Sequence, residues 1–177
     1  MLASGDADHG ELTGLLERSW ANAGAGLRSA WPPERRLSPG ELLDLAASSR
    51  FCVLAYLAEA ERVHAIPVSF HLDVRGDIWI PAGPGARRTH HLRSHPWAAV
   101  VVGPDASPGH RIIRAEGPAA SLSPAALPAE VAVQAMHKLR DLSWCQSWLQ
   151  ITPKSLLAWG GGPVGPHSVG SNSLSPG

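Results

Sequence analysis

From residue 51 onward the chain breaks into short runs of β-branched, aromatic and aliphatic residues, each closed within a few positions by a turn signal. Runs of that length and composition form strands. Residues 51–57 make the first run and 63–72 the second, with 59–62 as the turn between them. Pro67 lacks an amide hydrogen, which places its run locally at an edge or a bulge. A turn at 73–76 leads to a third strand, 78–80. Gly83, Pro84 and Gly85 then break the chain before a short helix, 86–94, stopped by Pro96. A fourth strand follows at 98–102, then a loop at 104–109. A fifth begins at 111–115 and is bulged by Gly117 and Pro118 before Leu122. Residues 144–151 form a last strand and 155–159 a short closing segment. Five or six strands with few helices predict an α+β, mainly β fold, a small β-barrel with flanking helices.

The helices carry their own signals. Ser38 is a good N-cap, Pro39 suits the first helical position, and Glu41 stands where a capping box needs it. Leu42, Leu43, Leu45 and Ala46 give that helix one apolar face, ending near Ser48 or Ser49. Before it, 11–27 reads as one or two short helices peripheral to the core. After the fifth strand, Ser123 and Pro124 open a helical stretch to about Leu142, interrupted by Pro128. Residues 1–36 are thus a helical extension, 37–159 the barrel domain, and 160–177 a Gly/Ser/Pro-rich tail expected to be disordered.

Composition narrows the partners. The 177 residues carry 15 basic and 15 acidic side chains, so no global charge pulls the chain toward nucleic acid or anionic lipid. No apolar run approaches the roughly 18 residues of a membrane span. Cys52 and Cys145 stand far apart and match a reducing compartment, and the first ten residues do not read as a secretory signal. A soluble cytoplasmic protein is expected, with no nucleic-acid or membrane partner.

Few motifs carry chemistry. Residues 160–165 satisfy G-x-G-x-x-G by spacing, but no helix pattern follows to hold a pyrophosphate, so the match is accidental. P-loop, nucleophile-elbow and H-E-x-x-H motifs do not occur, and no catalytic acid or base stands out. His90, His91 and His95 are the densest histidine cluster, and His91 and His95 share a helical face. Arg87, Arg88 and Arg93 would repel a cation there, so these histidines read as polar helix surface rather than a metal site. His64 and His71, at odd separation on one run, face opposite sides, as do Arg111 and Arg114. Gly85-Ala86-Arg87-Arg88 differs from these: a glycine break opening a helix offers unpaired backbone N–H groups, and two guanidinium groups add forked donors. Phosphate or carboxylate suits that chemistry. Seven tryptophans among ten aromatic residues suit core and dimer packing, or a wall against a flat ring.

Taken in order, Leu37-Ser38-Pro39-Gly40-Glu41-Leu42-Leu43, Phe51-Cys52-Val53-Leu54-Ala55, Ala65-Ile66-Pro67-Val68-Ser69-Phe70, Gly76-Asp77-Ile78-Trp79-Ile80, the basic helix from Gly83 to Pro96 and Arg114-Ala115-Glu116-Gly117-Pro118-Ala119 form a series. This series resembles the flavin-binding split-barrel superfamily, the pyridoxamine 5'-phosphate-oxidase-like proteins. Tyr56 replaces a common threonine, Glu61-Arg62-Val63 replaces a Gly-x-Pro hairpin, and His91 and His95 stand where Asn or Asp is commoner. The resemblance implies a homodimeric split β-barrel with flanking helices. It implies a flavin- or deazaflavin-dependent oxidoreductase acting on a small molecule, with FMN as cofactor, the deazaflavin coenzyme as alternative and haem as a third choice. Pro67, Val68 and Ser69 would run along the isoalloxazine ring, followed by Trp79 and Ile80. Arg87 and Arg88 would hold the phosphate, with His91 beside it. The competing expectations are a haem-binding or haem-degrading protein with His91 or His95 as ligand, and a ligand-binding or regulatory barrel that is not an enzyme.

Overall fold

The structure is a computed structural model and describes residues 9–104 and 110–161. Helices α1 (Gly10–Asn22), α2 (Ala25–Ala30) and α3 (Pro39–Ser48) precede strands β1 (Phe51–Leu57), β2 (Val63–Ser69), β3 (His71–Leu72) and β4 (Ile78–Ala82). Helix α4 (Arg87–Ser94), β5 (Trp97–Val102), β6 (Ile112–Leu122), α5 (Ala129–Leu139), β7 (Ser147–Ile151) and β8 (Ser155–Trp159) complete the described chain. The strands pair antiparallel in the order β2-β1-β5-β6-β7-β4-β3, with β8 also on β6. This curled sheet is a split β-barrel carrying five helices.

The predicted cap of α3 forms in full. Ser38 Oγ accepts from the Glu41 amide, and Glu41 Oε2 accepts from the Ser38 amide at 2.8 Å. Pro67 also lies where its missing donor costs least, opposite Val53 on the edge strand β2. The 63–72 run, however, is not one strand. It breaks at Phe70, whose side chain is buried, and β3 leaves β1 to pair with β4.

A second correction concerns the bulge expected in β6. That strand runs unbroken from Ile112 to Leu122 and pairs continuously with β5. The extra residue lies on its other neighbour. Ala119 faces Ile151 and Glu116 faces Ser155, so Gly117 and Pro118 oppose Thr152, Pro153 and Lys154. Gly117 is required there, because a Cβ would stand 2.2 Å from the Thr152 carbonyl oxygen. Strands β7 and β8 are therefore one long bulged partner of β6.

Helix α1 is not peripheral either. Leu12 and Leu16 join the main core with Leu42 and Leu45 of α3 and the inward residues of the strands. Pro128 interrupts the later helical stretch as expected, leaving a 3₁₀ turn at Pro124–Ala126 before α5. From α5, Lys138 Nζ donates to the carbonyls of Ala46, Ser49 and Phe70 at 2.7, 2.9 and 3.3 Å. It thereby satisfies carbonyls at the end of α3 and before β3, stitching three elements with one ammonium group. Trp79 and Trp148 form a second core with Val131 and Ala135, while Trp20 and Trp159 form a third, flanked by Trp31. The predicted loop at 104–109 falls mostly, and the tail from 162 entirely, outside the described residues.

Candidate functional site

The chain from Gly83 to Ala86 turns sharply between β4 and α4, with Gly85 at a φ of +68°. Ala86 holds the N-cap position, where no side chain accepts from the helix's first amides. Across from this turn, the β1–β2 connection brings up Ala58, Glu59, Arg62 and His64, and Gln146 and Ser147 enter beside Ala82. Between these segments lies a groove of about 780 Å³. Its cationic groups are Arg62, Arg87 and Arg93, its imidazoles His64, His90 and His91, and its carboxylate Glu59. The His64 and His91 rings stand 6.1 Å apart, and Tyr56, buried beneath, stacks on His91 at 6.0 Å. Uncapped amides and guanidinium groups in one concave place favour an anion.

Of the cofactor-site residues that the resemblance implies, the structure brings Arg87 and His91 into this groove, together with the Gly85–Ala86 break that opens their helix. Arg88 lies half-buried and donates from Nη2 to the Pro81 carbonyl at 2.7 Å, tying α4 to β4. Burial pulls its pKa below the usual arginine value, with the Tyr56 hydroxyl and the Cys145 thiol pulling the other way. Trp79 and Ile80 are interior residues, 2% and 0% exposed, and Trp79 Nε1 donates to Asp73 Oδ2. In the single chain neither reaches the groove, because β4 is covered on both sides. Val68 packs against the main core, whereas Pro67 is exposed and Ser69 half-buried on the edge strand. Arg62, His64, Thr89, His90 and Arg93 are groove residues that sequence reasoning did not assign. Among the described residues no group of three His, Cys, Asp or Glu is placed to hold a metal ion.

Two further features lie outside the groove's lining. His71, the partner of His64 in the sequence pattern, is fully buried, with its ring 5.9 Å from Trp148 and neither nitrogen hydrogen-bonded. Burial, and then the Lys138 charge, pull its pKa down to about 4, so this imidazole is neutral at physiological pH. On the outer face of β2, β1 and β5, Val53 lies between Pro67 and Val101, and Ala55 between Ala65 and Ala99. Phe51, Val63 and Trp97 extend this apolar face and are more than half exposed. The patch is contiguous and unpartnered in the single chain.

The fold is thus that of a split β-barrel, with a groove lined by arginines and histidines beside α4. Residues 38–159 match the family model of pyridoxamine 5'-phosphate oxidase, and the chain belongs to that family. Among curated proteins none matches it. A conserved hypothetical protein of Mycobacterium tuberculosis superposes with a TM-score of 0.56 at 16% identity, covering 73% of this chain and 89% of that one. The haem storage protein HutZ of Vibrio cholerae superposes at 0.55 and 15% identity, over 71% and 97%. An FAD-binding protein of Mesorhizobium loti does so at 0.53 and 17%, over 71% and 95%. At such identities the likeness is one of fold. Among the described residues, no helix is long and apolar enough to cross a membrane.

Proposed function

We propose that this protein is a cytoplasmic flavin-dependent oxidoreductase whose groove between α4 and the β1–β2 connection binds the cofactor's phosphate end. The observation that carries this is the start of α4: uncapped amides after Gly85, with Arg87 exposed at the same end of the groove. That donor set fits a phosphate monoester, and Gly85 leaves open space above the turn. A flavin supplies hydride and electron transfer when bound. The chain's part is to bind, orient and set the charge around it. Arg87 holds the phosphate, the first amides of α4 orient it, and Tyr56 backs the His91 ring beside it. FMN is the first candidate, with the deazaflavin coenzyme as the alternative. The substrate is a small molecule.

The protein works as a homodimer in this reading. The apolar face of β2, β1 and β5 asks for cover, and a second copy supplies an identical surface. Pro67 and Ser69 lie on that strand edge, so a partner chain closing over it brings them toward its neighbour's ligand. Haem is a second reading, favoured by one observation: His64 and His91 face one another at 6.1 Å across the groove. The absorption spectrum of the purified protein separates the two. Flavin bands, as isolated or after reconstitution with FMN, support the first; a Soret band lost in His91→Ala, with no flavin uptake, replaces it with the second.

A further inference from the structure

We propose that a separate groove, between α1, α2 and the chain leading into α3, is a binding site for a medium-chain carboxylate. It shares no lining residue with the groove beside α4, so it stands apart from the flavin reading. Pro39 is the single lining residue within 38–159, and the helical extension builds the rest. The volume of about 440 Å³ suits a small molecule. Leu16, Trp20, Leu37 and Pro39 make its walls apolar.

The groove is long, with its charge at one end. Helix α1 lines it from Thr13 to Ala21, a rise of about 12 Å. Its basic groups gather at the last turn of that helix. There Arg28 Nη1 donates to the carbonyls of Ala21 and Ala23, and the Arg36 guanidinium lies 4.5 Å over the Trp20 ring. Water serves an exposed arginine, but Arg36 is half-buried. Its one side-chain hydrogen bond among the described residues runs from Nε to the Trp31 carbonyl at 3.3 Å, and no carboxylate lies within ion-pair distance. Trp20 beneath it is 5% exposed and packs edge-on against Trp159, and its indole N–H has no acceptor among the described residues. A largely desolvated cation and a buried donor, both short of an acceptor in one place, are matched by one carboxylate. Two guanidinium groups against the single lining carboxylate, Glu17, leave one positive charge, which suits a monoanion. An alkyl chain running toward Leu16 covers the apolar walls.

Isothermal titration of the full chain with octanoate and 1-octanol tests this, using the wild type and Arg36→Gln. The wild type should bind octanoate at one site per chain, and at least about tenfold more tightly than octanol. Arg36→Gln should weaken octanoate about ten- to a hundredfold, the loss of one charge-assisted contact, and change octanol by less than about threefold. No octanoate bound by the wild type, equal affinities for the two probes, or no selective loss of octanoate in the variant would overturn the site. If Arg36→Gln melts well below the wild type, Ala21→Glu takes its place. It sets a negative charge at an exposed lining position, and should weaken octanoate at least about tenfold while sparing octanol; equal effects on both probes would again overturn the site. Titration with FMN should give the same result in the wild type and Arg36→Gln, so failure of the flavin reading and failure of this site are separate outcomes.

Discussion

Leu92 is the buried apolar residue of α4, and Arg88, one turn earlier, shares its inward face. That phase turns Arg87 outward and Arg88 toward the Pro81 carbonyl, a distinction the sequence carried in the position of Leu92. Replacing Arg88 with alanine removes a charge-assisted bond of about 1.5–3 kcal/mol and should lower the melting temperature. Arg87→Ala, at an exposed site, should leave it unchanged. Thermal denaturation of the two variants decides, and the reverse ranking would reassign their roles. His71 gives a second test at this scale. Its pKa is about 4 in the fold against 6.5 for a solvated imidazole, so above pH 6.5 neither the folded nor the unfolded state is protonated. As pH falls from 6.5 toward 4 the unfolded chain takes up a proton that the native chain does not. Stability should then fall by on the order of 2–3 kcal/mol before levelling off. Urea denaturation at pH 7 and pH 4.5 should show this loss in the wild type and much less in His71→Leu; the same slope in both would place its origin elsewhere.

At the scale of elements, local signals were legible where the physics is local. The Ser38–Glu41 box, Pro39 and the Pro128 break each act within a turn of their own position, and each stands where the pattern put it. Ser38→Ala should cost about 1 kcal/mol in stability measured by chemical denaturation. A cost indistinguishable from zero would mean that tertiary packing alone holds α3. The bulge was legible only as a glycine, not as to which strand carried it. Gly117 marks a close approach, and the residue making that approach is Thr152, in the bulge between β7 and β8, which returns to β6 only after α5. Gly117→Ala should destabilise by about 1–3 kcal/mol or more, since the clash is with backbone. The division of 63–72 into β2 and β3 was hidden for a similar reason: apolar content is continuous through Phe70, and only the partner changes.

Over the whole molecule, the family and the barrel were legible because an ordered series of strand motifs survives even when each is weak. The groove was half legible. Its α4 side is a contiguous stretch with its own glycine break, but Arg62, His64 and Ser147 arrive there through the β1–β2 hairpin and the β4–β7 pairing. Nothing in sequence spacing puts those three near Arg87. The outer apolar face likewise appears only once β1, β2 and β5 are aligned. Trp97→Asp should convert a dimer to a monomer in light scattering, and a wild-type protein that runs only at 18.7 kDa would remove the dimer from the account. The central claim is that the start of α4 reads the phosphate of a flavin, and titration of wild type and Arg87→Ala with FMN and riboflavin tests it most directly. The wild type should bind FMN more tightly than riboflavin, and Arg87→Ala should lose about ten- to a hundredfold for FMN while riboflavin hardly changes. Equal affinities for the two ligands in the wild type, or equal losses in the variant, would contradict it.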